Sequence, residues 1–214
     1  SGTRSTFGTF GTVTGPVTGL DTSLSTIGQG GTLALASGRN FAAARNITDA
    51  GLLSLGGVAF STGALSVAAT GTVAGTGTVT AAISNAGLIH ATGSTLLLVG
   101  GITGAGTLAI DPAAKLELNG ATAQTVAFNP GTLANGTLVG GTLKIDTASN
   151  YTGTVTGFAP ADTIDLANLI ISTASIAGDT LIANISGGGT QAVALTGAFG
   201  ADILKVTGDG ATGT

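Results

Sequence analysis

Leu33-Ala34-Leu35, Leu116-Glu117-Leu118, Leu143-Lys144-Ile145 and Ile164-Asp165-Leu166 share one pattern: two aliphatic residues flank a different one. Alternation of this kind sends the flanking pair to one side of a strand and the middle residue to the other. It predicts short strands whose Leu and Ile enter a core and whose Glu117, Lys144 and Asp165 face solvent. Glycine punctuates the pattern, recurring at intervals of roughly five to eight residues over most of the chain. That density disfavours helix, where glycine costs about 1 kcal/mol against alanine, and suits corners between short strands. The Thr-rich phrases GTVTGPVTG (11–19) and GTVAGTGTVT (71–80) add β-branched residues that fit a pleated surface.

The pattern repeats. NITDAGLLSLGG from Asn46 aligns with AISNAGLIHATG from Ala82, placing Ile47 on Ile83, Asp49 on Asn85, Gly51 on Gly87 and Leu52 on Leu88. GTLAL at Gly31, GTLAI at Gly106 and GTLKI at Gly141 form a second recurring phrase. A spacing of roughly 30–36 residues fits two coils of a stacked architecture. The expected fold is all-β, a parallel β-helix (β-solenoid) of roughly ten coils, about 50 Å long at about 4.8 Å per coil. A β-sandwich with regularly spaced short strands is the alternative. Residues 1–30 are expected to form an atypical arm or cap, 31–157 the repetitive solenoid, and 158–214 the last coils and a cap. The longest glycine-free run, FAPADTIDLANLIISTASIA (158–177), opens that last section. It predicts a wider final coil or a capping hairpin, and a helix over 161–169 is also compatible.

Composition narrows the function. The chain has 214 residues, 43% of them hydrophobic and 7% charged, with 38 glycines and no cysteine. No Asp, Glu, Lys or Arg falls between Ala50 and Ile110. A disordered chain would be polar and highly charged; this one has enough branched aliphatics to fold. Thiolate and disulfide chemistry are excluded by count. Six Lys and Arg, scattered, and a net charge of −4 argue against nucleic acid, which needs a clustered basic footprint. The longest apolar runs, such as Leu96-Leu97-Leu98-Val99, fall far short of the ~20 residues of a spanning helix, so no membrane span is expected. The opening Ser1-Gly2-Thr3-Arg4 has neither Met nor an apolar signal region, as expected of a processed product or a cut boundary.

The phrases ISNAGLI, GITGAGTLAID, AKLELNG, AQTVAF and YTGTVTGFAPADTIDL resemble the passenger regions of proteobacterial autotransporters and related large surface adhesins. The resemblance covers roughly residues 31–169 and continues more weakly to the end. It implies a β-helix displayed on the bacterial cell surface or secreted, serving adhesion, aggregation or matrix building. No run of ~10-residue alternating strands with aromatic girdles marks a membrane β-barrel. The chain therefore reads as an excised passenger segment or a relative exported by another route. None of the matched phrases is a catalytic motif, so the resemblance transfers no catalytic residue.

Candidate chemistry is sparse. His90 is the only histidine; a Ser–His–Asp triad needs its partners in space, and Ser and Asp are too many to choose among. It reads as a lone surface or edge residue. Asp162 and Asp165, three apart, point to opposite faces of a strand, and Asp111 and Asp146 follow their strands at corners. Turn and solvent roles suit them better than acid–base pairing. Histidine and cysteine are too few for a metal site built on them. Calcium, through GDGATG at 208–213, is a remote option, since the nonapeptide of calcium-binding solenoids is absent. No cofactor is otherwise expected. Thr12-Val13-Thr14, Thr78-Val79-Thr80 and Thr154-Val155-Thr156 have the form used by ice-binding solenoid faces but do not recur at coil spacing. Surface and ends remain. Open strand edges template pairing, and a charge-poor wall repels little. The expected protein is non-enzymatic, an extracellular structural subunit of a self-assembling filament or matrix with an adhesive role. The alternative is a passenger segment of a monomeric autotransporter adhesin. The expected partner is a second copy, head-to-tail or lateral, and also cell-surface or matrix polysaccharide. Phe7, Phe10, Val13 and Val17 are the candidate assembly contacts; Phe7 and Phe10 could equally plug their own solenoid's end.

Overall fold

The computed structural model describes residues 19–36, 38–197, 199 and 204–207. A four-residue helix, α1 (Leu20–Ser23), precedes β1 (Thr26–Ile27), β2 (Thr32–Leu35), β3 (Phe41–Ala42) and β4 (Ile47–Asp49). Three long bent strands follow: β5 (Leu52–Val67), β6 (Thr72–Asn85) and β7 (Leu88–Val99). Short strands then return as β8 (Ile102–Thr103), β9 (Thr107–Ile110), β10 (Lys115–Asn119), β11 (Thr125–Phe128), β12 (Thr142–Ile145), β13 (Thr154–Thr156) and β14 (Thr163–Leu166). The chain closes with β15 (Ile171–Ala177), β16 (Thr180–Ile185) and β17 (Thr190–Thr196).

Register sorts these strands into three parallel stacks. On the first face Leu33, Leu53, Val73, Ile89, Leu108 and Val126 follow one another inward, and Val155 continues the column. On the second face the column is Phe41, Phe60, Val79, Leu98, Leu118, Ile145 and Leu166. On the third, Ile47, Leu65, Ile83 and Ile102 lead to bridges at Thr122 and Tyr151. The protein is thus a parallel β-solenoid with a triangular cross-section. Its inward columns hold the fold together, with Leu53, Phe60, Ile89, Leu98, Leu108 and Val126 fully excluded from solvent. Phe41 and Phe60 stack in parallel across adjacent coils, centroids 5.8 Å apart.

The solenoid has about seven turns rather than ten. At about 4.8 Å per rung, the seven first-face rungs from β2 to β13 span about 30 Å. Two departures account for the smaller number. The turn between Val126 and Val155 takes 29 residues, because an excursion over 129–141 folds back as its own hairpin, bridged at Thr132 and Leu138. Beyond β14 the chain stops coiling. β15 and β16 pair antiparallel, β17 pairs antiparallel with β16, and β17 lies parallel to β13 through Val155 and Leu195. The end of the first face is therefore extended by a capping hairpin. No helix forms over 161–169: Ile164 and Leu166 alternate onto Leu143 and Ile145, while Ala161 and Asn168, both at positive φ, bracket the strand. At the other end, β1 already pairs with β4, so the stack starts just ahead of residue 31.

The repeats now have a physical meaning. Asp49, Val67 and Asn85 are in register on the third face, so the 36-residue offset is two coils. GTLAL and GTLAI open first-face rungs, whereas GTLKI lies on the second face. The glycine before the rungs of β5, β6, β7, β9 and β13 is fixed by close approach: a Cβ on Gly87 would run into the carbonyl oxygens of Ala68 and Gly71 in the coil below. Those Gly71 and Gly87 carbonyls accept the amides of Leu88 and Thr107, carrying the ladder through the corner.

Candidate functional site

Four polar constellations stand out from the otherwise apolar and threonine-rich structure. The first occupies three successive rungs of the first face. β7 sets His90 outward between Ala74 and Ala109 of the neighbouring rungs. Asp111 follows β9 and Asn129 follows β11, both at the corner beyond the face. His90 Nε2 lies 2.7 Å from Asp111 Oδ1, and Asn129 Nδ2 donates to the same oxygen at 2.8 Å. Burial raises the Asp111 carboxyl, but the Asn129 and His90 bonds outweigh it and hold it below the usual carboxylate range. His90 is therefore not a lone residue; the stacking of rungs pairs it with an acid 21 positions away. Among the described hydrogen bonds none joins His90 to a serine or threonine hydroxyl, and its register neighbours are alanines.

The second constellation is a charge ladder on the second face. Glu117, Lys144 and Asp165 face outward as expected, and the register places them directly above one another. Lys144 Nζ donates to Glu117 Oε1 at 2.8 Å and sits 3.2 Å from Asp146 Oδ1. Lys115 approaches Glu117 at 3.6 Å, and Asn119 Nδ2 donates to Asp146 Oδ2 at 2.9 Å. The bond to Glu117 outweighs burial and Asp146 reinforces it, so the Lys144 ammonium is held well above the usual lysine range. Charges along this ladder are satisfied mainly by one another.

The third lies inside the corner between the third and first faces. Asn85 is fully buried; its Oδ1 accepts the Gly87 N–H, and its Nδ2 donates to Gln124 Oε1 at 2.9 Å and to the Thr107 carbonyl. Gln124 Nε2 in turn donates to the carbonyls of Asn85 and Thr103. Gln124 replaces the glycine of that corner, and the Asn85 side chain occupies the space that a Cβ on Gly106 would need. Burial raises the nearby Tyr151 hydroxyl, which donates to the Gln124 carbonyl. Two coils below Asn85, Asp49 is equally buried and has a different set of partners. The sequence repeat aligned these two residues without revealing that they point inward. The available signal was the [DN]-A-G phrase, in which a polar side chain sits two residues before a glycine whose N–H it can accept.

The fourth is a cavity of about 1020 Å³ at the carboxy-terminal end, between β14 and the capping hairpin. Phe158, Ile164, Ile176 and Leu181 give it an apolar lining, with Asp162, Asp165 and Lys205 among its polar residues. Asp162 precedes β14 and accepts the N–H groups of Gly141 and Ala159; burial outweighs those bonds and raises its carboxyl. Asp162 and Asp165 do not converge as an acid–base pair: one ties the turn, the other joins the ladder.

Phe7, Phe10, Val13 and Val17 lie outside the described residues, as do Thr12-Val13-Thr14 and the phrase at 208–213 considered for calcium. Among the described residues no group of three His, Cys, Asp or Glu could hold a metal ion, and no helix is long and apolar enough to cross a membrane. Thr78-Val79-Thr80 and Thr154-Val155-Thr156 fall on different faces. A threonine column does exist on the first face: Thr32, Thr72, Thr107 and Thr125, with Leu52 and Leu88 interleaved, and Thr154 on the next rung. The fold defines the protein as a parallel β-solenoid. Comparison with known protein families, with curated proteins and with solved structures finds no match.

Proposed function

We propose that this protein is a non-enzymatic structural subunit, displayed outside a bacterial cell, that assembles with copies of itself into a filament or adhesive matrix. The observation that carries this reading is the wall itself: from Leu52 through Ile110, strands on all three faces present Thr, Ser, Ala, Leu and Gly, with His90 on β7, and without one Lys, Arg, Asp or Glu. Such a wall offers little electrostatic repulsion to a neighbour. Charge gathers toward the ends instead, with Arg45 and the Arg39–Asp21 ion pair in the first coil and Asp162, Asp165 and Asp179 around the last. The resemblance to autotransporter passengers supports the surface location. The amino-terminal Phe7, Phe10, Val13 and Val17 are the proposed contact segment.

Electron microscopy of the purified protein tests the reading. Filaments are expected, shortened by the pair Phe7→Ser and Phe10→Ser. Dispersed short rods at all concentrations would overturn self-assembly and favour the monomeric adhesin segment. The threonine column favours a second reading, binding to a crystalline surface such as ice. Ice grown in the presence of the protein would be faceted if that reading holds and would keep its ordinary disc shape if it fails.

A further inference from the structure

We infer that Asp49 is a pH-operated clasp on the amino-terminal coils, closing the corner between the third and first faces when protonated and loosening it when ionised. This goes beyond the assembly role and does not depend on it. Asp49 has no solvent-accessible surface and stands in register between Ile27 below and Val67 above. Its Oδ1 accepts the Gly51 N–H at 3.0 Å, and the Leu53 N–H also bonds the carboxyl. Its Oδ2 is buried with no hydrogen-bond partner.

Asn85, two coils along the same column, shows what the position asks for. Its Oδ1 makes the equivalent bond to Gly87, and its other branch is a donor, reaching Gln124 and the Thr107 carbonyl. Asp49 puts an acceptor where Asn85 puts a donor. Protonation converts that oxygen to an O–H and removes a buried charge. No titratable group helps an ionised Asp49: β1, the 28–31 turn, β5 and the 68–71 turn packed around it contain no Lys, Arg, His, Asp, Glu or Tyr. Arg45, on the approach to β4, is exposed and donates to the Thr22 carbonyl. Burial accordingly pushes the Asp49 carboxyl from 3.8 up to about 6, against the pull of the Gly51 and Leu53 bonds. A raised acid stabilises the fold below its unfolded value, and that contribution fades as pH rises through about 6.

Amide hydrogen exchange by NMR tests the clasp in the whole chain. The probes are Ala50, which donates to Ile27, Gly51 and Leu53, which bond Asp49, and Ala68, which donates to the Asp49 carbonyl. From about pH 4.5 to about pH 7.5, after correction for intrinsic rates, their opening constant should rise about 25-fold. Asp49→Asn should flatten that rise while amides of the charge ladder keep their wild-type profile. Equal pH profiles in wild type and variant would overturn the inference. Should Asp49→Asn not fold, the carboxyl carbon shift of Asp49 in the wild type decides: a midpoint near 6 supports the clasp, one near 3.8 overturns it.

Discussion

The β5–β7 belt and the β10–β12–β14 ladder are built on the same rungs and dressed differently. In the belt, outward positions such as Ser54, Ala74, Thr78 and Leu97 carry no charge. In the ladder, Glu117, Lys144 and Asp165 occupy the position that Thr78 and Leu97 hold in the belt, one coil after another. The inward columns run through both regions without interruption: Val79 and Leu98 give way to Leu118 and Ile145 with no change of register. Stability therefore belongs to the inner column and the corners, and the outer wall is free to vary. That freedom lets one stretch present an uncharged wall while the next carries three of the five described ion pairs.

The comparison breaks first if the inner column is not what holds the belt. Phe60→Ala removes a fully buried ring and its stacked partner surface on Phe41. A loss of about 3–5 kcal/mol is expected, read from the urea unfolding midpoint. A loss below about 1 kcal/mol would place the holding energy elsewhere. Corners come next. Gly87→Ala drives a methyl into two backbone carbonyls that cannot move aside, and about 2–3 kcal/mol should be lost. Gly101→Ala is its control: the nearest atom to a new Cβ is the Ala121 carbonyl oxygen at 3.8 Å, so stability should hold within about 0.5 kcal/mol.

This division explains how much of the molecule was legible in the sequence. Local alternation around Leu33, Leu116, Leu143 and Ile164 carries strand position and inward face, since both follow from period-2 geometry within a few residues. The repeat carries stacking, because Asp49 and Asn85 could align only if their coils superpose. Coil number was not legible: the 129–141 excursion and the hairpin of β15 and β16 use the same Gly, Thr and Leu vocabulary as the rungs. The site chemistry was less visible still. His90 and Asp111, or Asn85 and Gln124, meet only after one and two coils, and those coils vary from 16 to 19 residues over this part of the chain. A pairing set by such uneven spacing leaves no fixed interval to read.

Gln124→Leu sharpens the corner half of the comparison. The substitution removes the Gln124 acceptor of buried Asn85 Nδ2, leaving it only the 3.3 Å bond to the Thr107 carbonyl, and takes one donor from the Asn85 and Thr103 carbonyls. Unsatisfied buried groups cost about 1–3 kcal/mol, and the loss should fall in that range by thermal or urea unfolding. The double variant with Asn85→Leu should recover part of it, because replacing both partners removes the stranding as well as the bonds. Strict additivity of the two losses would mean that Asn85 and Gln124 act separately.

The smallest effect is expected on the ladder, and it carries the sharpest distinction. Glu117→Gln keeps shape and an acceptor for Lys144 but removes the charge shared by Lys115 and Lys144. These groups retain solvent contact, so screening holds the loss to about 0.5–1 kcal/mol. Added salt should weaken the wild type toward the variant, the gap narrowing as the Debye length shrinks to about 3 Å at 1 M. In the belt, Thr78→Gln at the equivalent outward position should show no salt-dependent difference from wild type, since no formal charge lies between residues 50 and 110 to be screened. If both substitutions respond alike to salt, the outer walls of the two regions are not electrostatically distinct, and the ladder is packing with charges attached.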